Sequence, residues 1–113
     1  MTSRSTRPGI ICDTRQHDGK HGHVDGWLAA HGVPFRYAKL DFGDYMRDET
    51  GWNISVDTKQ TVQELAGNCG REHARFAREL DRARDAGYRL FILVEEHEAY
   101  NNRERLRRWV CYA

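Results

Sequence analysis

No apolar run in this sequence approaches the roughly 20 residues a membrane-spanning helix needs, and residues 1–9 lack the apolar stretch of a secretory signal. Both absences lead to the expectation of a cytoplasmic protein. Cysteine is scarce: Cys12, Cys69 and Cys111 are far apart and form no C-x-x-C, which excludes a disulfide framework and a structural zinc knuckle and reads as free thiols. An excess of one charge is also missing, since 18 basic side chains face 17 acidic ones for a net charge of +1. Bulk charge therefore says nothing about nucleic acid, and only the distribution of charge is informative. No internal repeat or low-complexity segment occurs.

What remains is a chain of 113 residues with 39% hydrophobic and 31% charged side chains, enough for one packed core. Residues 1–8 are polar and expected to be a flexible N-terminus, with one domain over 9–113. Gly9-Ile10-Ile11-Cys12 is a short apolar run ending at Asp13 and reads as a buried strand. Val24, Trp27, Leu28 and His31 recur at helical spacing from His21 until Gly32-Val33-Pro34 stops the pattern. Residues 35–40 alternate as a half-buried strand does. Asp48-Glu49-Thr50-Gly51 separates two strand-like runs, around Asp44-Tyr45-Met46 and over 52–57, and predicts a β-hairpin. Val62, Leu65 and Ala66 predict a short helical turn that Gly67-Asn68-Cys69-Gly70 interrupts. Phe76, Leu80 and Ala83 then form the stripe of a long helix that Gly87 ends. Residues 88–94 are the most apolar segment and read as a central strand. Leu106, Trp109 and Val110 predict an amphipathic helix over 101–112. The fold class expected is α/β, a mixed central β-sheet flanked by α-helices.

Chemistry concentrates at the hairpin. A turn near residue 50 sets Asp44 opposite Ser55 or Val56, within one or two pairs of Asp57, and strand alternation puts Ser55, Asp57 and Lys59 on one face. Asp13 ends a separate strand. Carboxylates converging at strand ends suit a hard divalent cation, and D-x12-D-x-K suits phosphodiester hydrolysis, in which carboxylates hold Mg²⁺ and a cation assists the attacking water. The competing reading makes Asp44 and Asp57 turn or edge carboxylates with Lys59 their solvated partner.

Gly43-Asp44-Tyr45 followed by Val56-Asp57-Thr58-Lys59 resembles the PD-(D/E)XK nuclease core. With Cys12-Asp13-Thr14-Arg15 upstream, the chain more narrowly resembles the XPF-type structure-specific nuclease domain, particularly its small phage and prophage representatives. The likeness runs from Ile10 to about Glu96. It takes in Glu64-Leu65-Ala66-Gly67-Asn68, Arg75-Phe76 and Leu93-Val94-Glu95-Glu96. The resemblance implies a restriction-endonuclease-like fold, Mg²⁺-dependent cleavage of branched or flap DNA with Mn²⁺ able to substitute, and a homodimer formed by the nuclease domains. It also implies that Asp44 and Asp57 ligate metal, that Lys59 assists the water, that Asp13 stands beside or within the metal shell, and that Arg15 contacts phosphate or orders the carboxylates. Three positions depart from the family pattern: Thr58 replaces the arginine of the common E-R-K, Gln16 replaces an acid, and Glu64 lies five residues past the lysine where an aspartate at four is common.

Arg71, Arg75, Arg78 and Arg82 fall on one helical face and, with Arg103 and Arg107 of the last helix, are candidate DNA-phosphate contacts. Glu79, Asp81 and Asp85 make a solvated, partly neutralised face the competing reading. His17, His21 and His23 lack a placed fourth ligand for zinc and are expected on the surface. Trp27 and Trp109 are expected in the core or an interface, and Trp52 is a candidate for stacking on an unpaired base. The rival to an endonuclease is a nonenzymatic domain of the same fold that binds DNA or docks a partner. A PD-(D/E)XK restriction or recombination nuclease of other specificity would share the metal site.

Overall fold

The structure, a computed structural model, describes residues 8–16, 22–96 and 102–109. Its centre is a mixed five-stranded sheet in the order β2-β1-β3-β4-β5. Strand β1, Gly9–Asp13, runs parallel to β2, Phe35–Ala38, and antiparallel to β3, Tyr45–Asp48. Strand β4, Ile54–Lys59, is antiparallel to β3 and parallel to the outer strand β5, Arg89–Val94. Helix α1, Gly22–Ala30, makes the β1 to β2 crossover. Helices α2, Val62–Cys69, and α3, His73–Asp85, make the β4 to β5 crossover. Parallel neighbours need such connections, and helices returning over the sheet supply the cover that buries it. No helix among the described residues is long and apolar enough to cross a membrane.

Capping explains where the helices begin and end. The Thr61 hydroxyl accepts the Glu64 amide at 3.0 Å, and the Glu64 carboxylate accepts the Gln60 amide at 2.8 Å, so Glu64 helps start α2. Helix α3 ends in a Schellman motif. Gly87, at φ +82°, lets the Tyr88 amide reach the Ala83 carbonyl and its own amide reach Arg84, as its position predicts. The expected interruption at residues 67–70 is corrected: α2 continues through Gly67 and Asn68 to Cys69. A single glycine costs a helix only about 1 kcal/mol, and the Gly70 amide still bonds the Ala66 carbonyl at 2.9 Å. The break between helices falls at residues 70–72, so Arg71 lies in the turn before α3 and not on its face.

The last helix is also corrected. Helix α4 is one turn, Arg103–Leu106, with Leu106 exposed and Trp109 half-buried; Val110 lies outside the described residues, as do residues 1–7, His17 and His21. Trp27 is not core either. It is 56% exposed and stacks on His31 one helical turn away, with ring centroids 3.9 Å apart. Phe76 and Ala83 bury the inner face of α3 as expected, whereas Leu80 stays at its margin. The largest fully buried side chains among the described residues are Asp13, Cys12 and Ser55, all below 2% exposed. Two of the three are polar, and they lie on β1 and β4, the strands on either side of β3.

Candidate active site

The site begins at a glycine. Gly43 has φ +76°, and a Cβ there would collide with the Ser55 hydroxyl and lie 3.0 Å from the Val56 carbonyl, so only glycine brings the chain this close to β4. The next residue, Asp44, enters the sheet before β3 is formally paired. Its amide bonds the Val56 carbonyl and its carbonyl takes the Asp13 amide, both at 2.8 Å. Tyr45 is the Cα partner of Val56, so Asp44 and Tyr45 together meet one residue of β4, the count of a β-bulge. Such an irregularity re-aims a side chain, and here it turns the Asp44 carboxylate along the end of β4. There Oδ2 accepts the Thr58 amide at 2.9 Å and the Thr58 hydroxyl at 2.7 Å.

Strand β4 continues to Lys59, so Ser55, Asp57 and Lys59 share the face that α3 covers. Lys59 Nζ is 3.2 Å from Asp57 Oδ2, with both side chains about seven-eighths buried, and stands 5.6 Å from the ring centroid of Phe76 on α3. Burial, foremost, pushes the Asp57 carboxyl above its ordinary value. The Lys59 ammonium opposes that shift, the neighbouring Asp44 carboxylate adds to it, and the net direction is upward. Two acids within hydrogen-bonding reach and one lysine thus share a partly dry corner.

Asp13 belongs to the adjoining corner. Its side chain is buried; Oδ1 accepts the Leu40 amide at 2.9 Å and Oδ2 accepts Arg15 Nε at 2.6 Å. Arg15 Nη2 returns to the Leu40 carbonyl at 3.1 Å. Burial raises the Asp13 carboxyl, but the hydrogen bonds from Arg15 and Leu40 and the charge of Arg15 outweigh it and hold the group below the usual aspartate range. Asp13 therefore ties β1 to the chain that leads to Gly43, and Arg15 orders that carboxylate while its side chain stays 67% exposed.

Arg75, Arg78 and Arg82, with Glu79, line an open depression along α3, and Arg82 lies 5.9 Å over the Phe42 ring. Asp81 and Asp85 both turn to Arg84 and away from this row. On α4, Arg103 is exposed, whereas Arg107 and Arg108 share Glu104. Trp52 is half-buried with the Arg47 guanidinium 4.9 Å over its ring, which occupies the face expected to stack on a base. His23 bonds Glu95 at 3.0 Å. Cys12 is buried and its thiol is pushed up to about 11, chiefly by burial, which makes it unreactive.

The structure brings Asp44, Asp57 and Lys59 together and sets Asp13 and Arg15 beside them. Sequence reasoning missed Thr58, which holds Asp44 through two donors, the Leu40 backbone, which holds Asp13 and Arg15, and the Phe76 ring beside Lys59. No spacing pattern signals a contact made by a backbone amide or across a crossover helix. Among the described residues no group of three or more His, Cys, Asp or Glu side chains is gathered closely enough to hold a metal ion. The donor set at the hairpin is instead a pair of carboxylates, which fits Mg²⁺, an ion commonly held by one or two carboxylates with water and phosphate completing its shell. No protein-family model, curated protein or solved structure matches the chain.

Proposed function

We propose that the chain is a Mg²⁺-dependent endonuclease of the XPF type, with a restriction-endonuclease-like fold, that hydrolyses phosphodiester bonds in branched or flap DNA. The observation that carries this reading is the Asp44, Asp57 and Lys59 corner. A buried aspartate is pushed upward beside a second carboxylate, an arrangement unfavourable by itself that a bound cation relieves. Asp44 and Asp57 hold the ion, and Asp13 is the anchor beside them. When bound, Mg²⁺ polarises a phosphoryl oxygen and lowers the pKa of coordinated water. Lys59, fixed between Asp57 and Phe76, orients the attacking water and offsets charge that accumulates on the phosphate. Thr58 keeps Asp44 aimed at the corner through its amide and hydroxyl. Arg75, Arg78 and Arg82 track the DNA backbone from α3, with Arg71, Arg103 and Arg107 flanking them.

A second reading, a nonenzymatic DNA-binding or partner-docking domain, is favoured by the lack of a third metal-ligating side chain among the described residues. A cleavage panel separates the two. With flap, fork, four-way junction and linear duplex substrates, Mg²⁺ or Mn²⁺ should support cutting of at least one branched DNA, and Asp57→Asn should abolish it. Binding without cutting of any substrate in either metal would establish the nonenzymatic reading.

A further inference from the structure

Ser55 is fully buried on β4, two residues before Asp57 on the same face, and no step of the proposed chemistry uses it. A buried hydroxyl is less favourable than a methyl group unless its hydrogen bond is made, so the destination of its proton is informative. The oxygen lies 2.5 Å from the Phe42 carbonyl and 3.2 Å from the Tyr45 carbonyl. A hydroxyl has one proton to donate, so the two carbonyls share it and the shorter contact, to Phe42, predominates. These carbonyls belong to the residues on either side of Gly43 and Asp44. The hydroxyl therefore closes a clasp around the two residues at which the chain turns into the sheet.

That turn has few other restraints. Strand β3 meets β4 at two residue pairs, Tyr45 with Val56 and Met46 with Ser55, so Asp44 lies beyond the end of the ladder. The Asp44 backbone is bonded to Val56 and to Asp13, but Phe42 and Gly43 make no backbone hydrogen bond among the described residues. Gly43 also belongs to the residue type with the widest backbone freedom, and a Cβ there would fall against the Ser55 hydroxyl. Glycine and serine are thus a matched pair. The missing Cβ lets the hydroxyl approach, and the hydroxyl restrains the freedom that the missing Cβ gives. What the clasp fixes is the direction in which Asp44 leaves the chain, and from that direction its Oδ2 meets the Thr58 amide and hydroxyl. Displacing a reacting group by about 1 Å can lower a catalysed rate about 10²-fold, so a small loss of aim has a measurable effect.

We propose that Ser55 is a positioning residue for Asp44, its hydroxyl clasping the Phe42 and Tyr45 carbonyls so that the kink between them aims the carboxylate at the end of β4. The consequence for metal binding rests on the nuclease reading, whereas the aiming itself does not. Amide hydrogen exchange of the whole chain, followed by NMR without metal, tests the aiming. Strand alternation directs the Asp57 and Lys59 amides at β5, whereas the Thr58 amide is bonded by Asp44 Oδ2. In Ser55→Ala the Thr58 amide should exchange about 10-fold faster while Asp57 and Lys59 keep their protection. A hydroxyl that merely stabilises the sheet would speed all three together. Ser55→Cys keeps a weak donor at the position, so its Thr58 rate should fall between wild type and Ser55→Ala, and it carries the test if Ser55→Ala does not fold. Calorimetric titration with Mn²⁺ tests the consequence: losing a group that orients a metal ligand lowers affinity about 10-fold or more, and Ser55→Ala should lose that much. Uniform acceleration across β4, an unchanged Thr58 amide, or unchanged Mn²⁺ affinity in a variant whose Thr58 amide has opened would each overturn the proposal. A wild type that binds no Mn²⁺ contradicts the nuclease reading, and the exchange result then decides the proposal alone.

Discussion

Asp13 shows how one buried side chain ties the site to the fold. Its carboxylate joins Arg15 to the Leu40 amide, and its backbone amide bonds the Asp44 carbonyl, so the acid fixes the approach to the hairpin corner from both directions. Because its folded pKa lies below the ordinary aspartate value of 3.8, the unfolded chain binds the proton more readily. The stabilisation is therefore complete above that value and lost as pH falls through the lower folded one. Asp13→Asn keeps an acceptor for Leu40 but loses the charge. It should cost about 1 kcal/mol near neutral pH, toward the low end of the usual range because Arg15 is largely exposed. Urea unfolding across acid pH checks this: the two proteins should converge as Asp13 protonates, and parallel curves would deny the ion pair its role. At this scale Asp44, Asp57 and Lys59 were legible because strand alternation and the turn position bring them near one another, whereas Asp13, on a separate strand, was set beside them only by the family resemblance. The bulge at Asp44 and the Thr58 bonds were not legible, since they depend on where a backbone amide is left without a strand partner.

Helices were legible where their ends carry a chemical signal. Gly87 marked the end of α3 through its need for positive φ, whereas the Thr61 cap that starts α2 was not read from the sequence. Gly67 misled because a glycine inside a helix reads as a stop, although the backbone bonds across it survive. Arg71 was placed on the helical face although the turn runs on through Glu72, leaving Arg75, Arg78 and Arg82 as the row on the helix. Glu79 remains among them, but Asp81 and Asp85 pair with Arg84, and that division lets the row keep net positive charge. Each phosphate contact contributes about 0.9 to the slope of log affinity against log salt on duplex DNA. Replacing Arg75 and Arg78 together by alanine should therefore flatten that slope by about 2, measured by fluorescence anisotropy across a salt series. An unchanged slope would assign both residues to a solvated face.

Across the whole molecule, the two crossovers bring unrelated stretches of sequence to one corner. The β1 to β2 connection delivers Asp13 and Leu40, and the β4 to β5 connection returns α3 so that Phe76 stands beside Lys59. The general α/β architecture followed from alternating strand and helix patterns, whereas this convergence depends on packing between residues far apart in sequence. The central claim is that the corner performs chemistry and does more than hold DNA. Lys59 is its sharpest probe, because an ammonium that acts on the transition state contributes little to ground-state association. The deciding measurement is Mg²⁺-dependent cleavage of a branched DNA, with affinity determined in parallel, for wild type and Lys59→Met. Cleavage is expected to fall by about 10² to 10³-fold while affinity stays nearly constant. A parallel fall in both would make Lys59 a docking residue and contradict the catalytic assignment.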